Sequence, residues 1–496
     1  MNKDYSQCVL VIDIGSSSIK TNLYSMQAHL LSEFSSQIYH SIDTDKNGKF
    51  IQNPSVLVKK IIQSIDLTLG KSKGKIGKIM AVGVDCMSST LLAIDKNGKP
   101  MTPVYLYSDT RSFKQVEKIQ KTFESSKLFD ETGVTQHTSY IPSKILWIKK
   151  NLKDKVRKFI DFSTYFYSEI FENFTFDSSF SIASWSGLLD RKKLVWHKEL
   201  CSYLEINEDN LPNLYSYDKK YIGLKKEYKN RWPELCDTPF FLSVGDGLSA
   251  NIGSGATKSN HIGLTIGSTG AIRLLLPKSN KKILPGLWEY QFTKKYSLLG
   301  GSFSEGGNII SWAKDNLKLT NINNIDEILS NKKPAAHGIS ILPFFGGERS
   351  IGWNDNAKGV ISGLTFSTQP EDIFQAMLES LAIRFSLVLD MIKQYSTKEF
   401  RIILSGGVFR RSKWFKQTLS DILNYPLEIL EEPEETSRGT AILSIMGVTN
   451  NFDFSNFKYK NQSIINPSTK KIDVYSEEKN KHLNLYQKMN NIYHDL

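Results

Sequence analysis

From Val9 to Ile14 the chain runs apolar and β-branched, broken by one carboxylate, Asp13. Gly15, Ser16, Ser17 and Ser18 follow, and from Ile19 to Tyr24 apolar and polar positions alternate. The pattern predicts a buried strand, a small-residue turn and a half-buried returning strand. Between Pro54 and Leu69, apolar residues at Val56, Ile61, Ile65 and Leu69 have the spacing of a helix packed on a sheet, and Ile79 to Val84 reads as the next strand. Strand, turn, strand, helix, strand is α/β patterning. A related series begins late, with strand-like runs at Phe241–Val244 and Ile262–Ile266, a turn of Gly267, Ser268, Thr269 and Gly270, and a returning strand to Leu276. Two such units predict a duplicated module, one domain over residues 1–243 and a second over 244–496. Further on, a strand ending at Leu404 passes through Gly406 and Gly407 into a helix from Ser412 to Leu423. Pro370 to Ile392 carries a stripe of Ile373, Met377, Leu381, Phe385 and Leu389 that marks a core helix.

Composition narrows the class. A chain of 496 residues exceeds one ordinary core, and 40% hydrophobic with 23% charged residues is the balance of a soluble globular protein. The formal charge of +12 comes from scattered lysines, so nucleic acid is not an expected partner, while a mild positive field suits an anionic substrate. Four cysteines, Cys8, Cys86, Cys201 and Cys236, show no paired spacing for zinc or a disulfide frame, and no window has the length and apolarity of a membrane span. The expected setting is the reducing cytosol, without a membrane partner.

The turn after Asp13 has two readings. It is a hairpin bend whose Asp caps backbone N–H groups, or it is a phosphate loop, with N–H groups and hydroxyls as donors and Asp13 facing a phosphate-bound Mg²⁺ through water. No Walker pattern follows it. Asp246 lies between Gly245 and Gly247, as a turn former or as a base that a hydroxyl can approach. Asp109 and Arg111, two apart on an extended segment, share a face and are either polyol and carboxylate ligands or a local ion pair. His137, Tyr140 and Lys144 lie in Gly133–Trp147, and Glu348, Arg349, Trp353 and Asn354 in Pro343–Leu364. Trp185, Trp196 and Trp312 read as core.

Several segments, in order, resemble the FGGY family of carbohydrate kinases. "VIDIGSSSIKTNLY" is similar to the family's first phosphate segment, "YLYSDTRS" to its sugar-pocket segment, "SVGDGLSANIGSG" to the segment with the catalytic Asp, and "IGSTGAIRL" to the second phosphate loop. "SGGVFRRSKWFKQTLSDIL" with "EETSRGTAILS" is similar to the adenine-side signature. The resemblance spans about Val9 to Tyr493. It implies two ribonuclease H-like α/β domains of the actin, Hsp70 and sugar-kinase class, with a nucleotide cleft between them. It implies ATP and Mg²⁺ as cofactors, Asp246 as catalytic base, and ATP held by Asp13, Gly15, Ser16, Ser17, Ser18, Lys20, Gly267, Ser268, Thr269, Gly406, Gly407 and Arg410. It implies a sugar or sugar acid bound by Asp85, Met87, Ser88, Asp109, Arg111, His137, Asp246, Glu348 and Arg349, and a homodimer is compatible with it. The pocket segments look most like those of gluconate kinases, then xylulose kinases. Tyr107 stands where the family's Trp is usual, and Cys86 and Met87 replace its common Gly-Gln or Asn-Gln. Both departures bear on the sugar. An actin- or Hsp70-like ATPase and a binder that has lost its chemistry are the competing classes.

Overall fold

The computed structural model describes residues 5–152, 156–319, 325–408, 412–430, 434–459 and 462–495. Its first sheet is built on β1 (Gln7–Ile14), β2 (Ser18–Ser25) and β3 (Ser36–Tyr39), an antiparallel meander. Helix α1 (Pro54–Ser72) returns the chain to β4 (Lys78–Cys86), which pairs parallel with β1. Later β5 (Lys220–Tyr221), β6 (Phe240–Phe241) and β7 (Val244–Gly245) complete the order β5-β6-β4-β1-β2-β3, with β7 also on β4. The expected boundary after residue 243 therefore falls just before the last pairing of this sheet.

Next come α2 (Asp246–Gly253), β8 (His261–Ile266) and β9 (Gly270–Pro277). They are followed by β10 (Trp288–Gln291), β11 (Tyr296–Phe303) and α3 (Asn308–Leu317). Helix α4 (Pro370–Ile392), β12 (Arg401–Ser405), α5 (Lys413–Leu423), β13 (Leu427–Leu430), α6 (Glu435–Thr449), β14 (Gln462–Ile465) and the terminal helix α7 (Ile472–Asp495) complete the second half. The second sheet runs β10-β11-β9-β8-β12-β13-β14. Strands β8, β9 and β11 repeat the meander of β1, β2 and β3, and β12 and β13 repeat the parallel pair β4 and β6. The duplication read in the sequence is thus a duplication of topology.

Each half has its own core. Met377, Leu381, Phe385 and Leu389 of α4 are buried in the core of the second half, where the helix packs on β9 and β11, as their stripe predicts. On α1 the buried face is Leu57, Val58, Ile61, Ile65 and Leu69, while Val56 points outward. A third core lies between the halves and joins Val9, Val11, Phe241 and Leu248 to Ile442, Leu443 and Met446. There α2 and α6 cross backbone to backbone. A Cβ on Gly253 would lie 1.7 Å from the Glu435 carbonyl oxygen, and one on Gly439 would lie 1.9 Å from that of Ser249. Among the described residues, no helix is long and apolar enough to cross a membrane.

Candidate active site

Asp246 is the first residue of α2, delivered by the short strand β7 to the edge of a cavity of about 230 Å³. Its Oδ1 accepts from the Ser88 hydroxyl at 3.0 Å and from the Gly247 N–H at 2.8 Å. Burial raises its pKa, and the Ser88 hydrogen bond and the Arg273 charge act against that rise. The flanking glycines are required by packing: a Cβ on Gly245 would meet Ser88 and Trp185 at 2.8 Å, and one on Gly247 would meet the Trp185 ring at 2.9 Å and Arg273 at 3.1 Å.

The cavity wall combines Ser88, Ser89, Tyr107, Ser139, Tyr140 and Trp185 from the first half with Gly267, Thr269, Arg273, Tyr290, Arg349 and Trp353 from the second. Tyr290 stacks on Trp185 at 3.9 Å and on Trp288 at 4.1 Å, and its hydroxyl lies 2.8 Å from that of Tyr140. Arg349 lies over the Tyr107 ring at 4.7 Å and donates to Ser139 at 3.3 Å. An aromatic floor with hydroxyls, one carboxylate and two guanidiniums suits a polyhydroxylated ligand, since rings cover C–H faces and polar groups fix the hydroxyls.

Two small-residue loops lie near this wall. The first, Gly15 to Ser18, closes with a 3.1 Å bond from the Gly15 N–H to the Ser18 carbonyl. It is braced by Gln52, which donates to the Ser16 carbonyl, and by a 3.1 Å contact of His40 with the Gly15 carbonyl. Gly15 is needed because a Cβ would lie 3.0 Å from the Ser18 oxygen. The second loop is pinned from behind: the Gly307 N–H donates to the Gly267 carbonyl at 2.7 Å and the Asn308 N–H to that of Ser268 at 3.2 Å. Neither Gly15 nor Gly267 has a positive φ, so freedom of approach, and not a left-handed turn, is what these glycines supply. Gly406 does have one, +98°, and a Cβ there would lie 2.3 Å from the Ile266 carbonyl, just ahead of the second loop, whereas Gly407 faces open space. Arg410 lies outside the described residues.

Asp13 and Asp85 face each other across β1 and β4. Thr440 donates to Asp85 Oδ2 at 2.7 Å, and Asp85 Oδ1 is buried without a partner. Burial raises Asp13 to about 6, and burial with the Asp13 charge raises Asp85 well above the usual carboxylate range. Lys20, beside Asp13, forms a 2.5 Å ion pair with Glu434.

Of the expected acceptor ligands, Ser88, Asp246 and Arg349 converge on the cavity, and the others lie elsewhere. Asp85 is in the carboxylate pair beneath it. Met87 is buried in the first core. Arg111 is closed on Asp109, with Nη2 to Oδ2 at 2.6 Å, and lies over Trp147 at 4.8 Å; Asp109 also accepts from the Phe50 N–H. The local ion pair is thus the arrangement adopted. His137 pairs with Asp355 at 2.7 Å, and Glu348 is buried against Arg384 and Tyr486 of α7. Trp185, expected in the core, lines the cavity. Tyr140, named with the Gly133–Trp147 segment, also lines the cavity, whereas Arg273 and Tyr290 carry no signal of the site in their local sequence beyond, for Arg273, a lone charge between Ile272 and Leu274 in a strand.

A cleft between two repeats of one topology, holding a carboxylate and two backbone loops, defines the actin-like class of two-domain phosphotransferases. Residues 8–253 match the N-terminal domain and residues 268–448 the C-terminal domain of the FGGY family of carbohydrate kinases, and the chain belongs to that family. It is 27% identical to the gluconokinase of Bacillus subtilis (strain 168) over 462 residues, 90% of this chain and 89% of that one. Its fold superposes on the gluconate kinase from Lactobacillus acidophilus with a TM-score of 0.88 at 21% identity, covering 97% of this chain and 98% of that one. For the xylulose kinase from the same organism the values are 0.90 and 22%, with 99% of each chain covered. The protein is a sugar kinase, a phosphotransferase that uses ATP.

Proposed function

We propose that the chain transfers a phosphoryl group from ATP to a hydroxyl of a sugar acid, D-gluconate first among them, with Asp246 as general base. The observation that carries the reading is the cavity wall itself: two arginines stand against one carboxylate, so the pocket holds excess positive charge beside hydroxyls and aromatic faces. A neutral ketose or polyol would leave that charge unmatched. Asp246 is held by Ser88 and the Gly247 N–H, ready to accept the proton of the attacking hydroxyl. The loops at Gly15–Ser18 and Gly267–Gly270 supply N–H and hydroxyl donors for the β- and γ-phosphates, and Gly407 leaves an open backbone face for the base.

Asp13 and Asp85 fit a Mg²⁺ site, because paired carboxylates with an orphaned oxygen are hard donors that a divalent cation would relieve. When bound, Mg²⁺ would spread the charge on the transferring phosphate. Asp13 and Asp85 would hold it, through water where direct reach fails. Residues 1–243 and 244–496 serve as the two halves of the cleft, and the reaction suits the cytosol, where ATP is available. The test is ADP release with gluconate, xylulose, ribulose and glycerol as acceptors. Gluconate is expected to give the highest kcat/KM. Turnover only with neutral acceptors would overturn the sugar-acid reading, and hydrolysis indifferent to every acceptor would overturn the kinase reading.

A further inference from the structure

Four cations lie on the segments around the acceptor cavity, and three are engaged or withdrawn. Arg111 is closed on Asp109, and Lys144, whose Nζ is also buried without a partner, lies outside the cavity lining with its pKa lowered by burial to about 7. Arg349 spends one face on Tyr107 and one donor on Ser139. Arg273 differs. In β9, Ile272 and Leu274 face the helical core of the second half, so period-two alternation turns Arg273 toward the cleft. Its cross-strand neighbours are Gly263 and Gly300, over which Asn251 and the Trp288 ring pack in place of a side chain from the strands.

The guanidinium has one hydrogen bond, from Nη1 to Thr265 Oγ1 at 3.2 Å. Its Nε is buried without a partner, and no hydrogen bond joins Nη2 to a described residue. Nε and Nη2 form the edge that meets a carboxylate with two parallel hydrogen bonds. Burial lowers the pKa of Arg273 to about 10, still cationic at neutral pH, with the Asp246 charge opposing the fall. Both Arg273 and Arg349 also pull the Tyr290 phenol down against burial, so two like charges share one cavity. A buried Nε left unpaired beside a second cation is costly unless an anion arrives.

We infer that Arg273 is the specificity-determining residue of the acceptor site, the free Nε and Nη2 edge of its guanidinium taking the carboxylate of the sugar acid. The assignment rests on the sugar-acid reading above and replaces Arg111 in that role. The rival use of the same edge is contact with the transferring phosphoryl group.

The experiment compares wild type, Arg273→Gln and Arg273→Lys as full-length chains on D-gluconate and on D-glucitol, which has an alcohol in place of the carboxylate. Dissociation constants and kcat/KM are measured for both. Arg273→Gln should lose about 10- to 100-fold on gluconate, as expected for a hydrogen-bonded ion pair, and at least tenfold less on glucitol. Arg273→Lys, which keeps the charge without the fork, should fall between. Equal losses on the two ligands, or a fall in kcat with gluconate affinity unchanged, would overturn the assignment in favour of the phosphoryl group. Should Arg273→Gln melt below the assay temperature, an Arg273→Lys variant with wild-type preference for gluconate would overturn it equally. Failure of the sugar-acid reading is seen separately, as a wild type that does not prefer gluconate.

Discussion

Ser88 donates a hydrogen bond to Asp246 across 158 residues of sequence, at 3.0 Å. The donor sits just past the end of β4 and the acceptor begins α2, so the loop after a strand of the first sheet sets the orientation of the carboxylate that opens the second half of the chain. That bond has a consequence for pH. Ser88 lowers an Asp246 pKa that burial has raised, and Ser88→Ala should move the acidic limb of kcat to higher pH. A pH–rate profile checks this, and an unmoved limb would mean that Asp246 does not set it.

Asp246→Asn keeps shape and removes the proton acceptor. Sugar phosphorylation should fall by about 10²- to 10⁴-fold, with ATP affinity retained. A variant with more than about a tenth of wild-type kcat would remove Asp246 from the role of base.

The Asp13 and Asp85 pair predicts stability bought at the wrong pH for catalysis. Asp13 has a folded pKa of about 6 against an ordinary 3.8, so the folded chain binds this proton more tightly than the unfolded one. Its contribution is fully present below about pH 4 and is lost as pH rises to about 6, a loss of roughly 3 kcal/mol. Without nucleotide or metal, Asp13→Asn should therefore melt higher than wild type at pH 8, with the gap closing toward pH 4, while phosphorylation is lost. Equal melting temperatures at pH 8 would show that the pair carries no such strain.

Gly406 and Gly407 are neighbours with opposite expectations. Gly406→Ala forces a Cβ to 2.3 Å from the Ile266 carbonyl at a φ of +98° and should lower the stability of the chain by more than about 1 kcal/mol. At Gly407 a Cβ has no described atom within 4 Å, and Gly407→Val should leave the melting temperature within a degree or two while weakening ATP. Calorimetry of unfolding and of nucleotide binding separates the two.

Arg111→Gln should reduce kcat/KM by the same factor on charged and neutral acceptors, because its guanidinium is spent on Asp109 and Trp147. A loss confined to sugar acids would return Arg111 to the pocket.

The fold was legible where local pattern and tertiary role agree. β-Branched runs became β1, β2 and β4, the 3.6-residue stripe of Pro370–Ile392 became α4, and Ser412 caps α5 through the Phe415 N–H at 3.0 Å. Val56 misled because a helix start can rotate its apolar set by one position, and Leu57 and Val58 took its place in the core. The site was read in part because its loops are continuous in sequence, whereas its wall is not. A two-residue spacing puts Asp109 and Arg111 on one face, and the same spacing lets them close on each other. Trp185, Tyr290 and Arg273 acquire their surroundings only when β9, β10 and the segment around Trp185 meet, which no local pattern states.

Where α2 crosses α6, Gly253 and Gly439 bring two backbones together with no side chain between them. The consequence is one of heredity more than of mechanics. Two positions far apart in the gene are locked as a pair, since a methyl group at either would drive the helices apart. Exchange of segments with a relative can redraw the acceptor wall, which is assembled from separate stretches of chain, but a crossover between these glycines joins two helices that never shaped each other. Chimeras that carry α2 and α6 from one parent should therefore be the ones that recover a closed cleft.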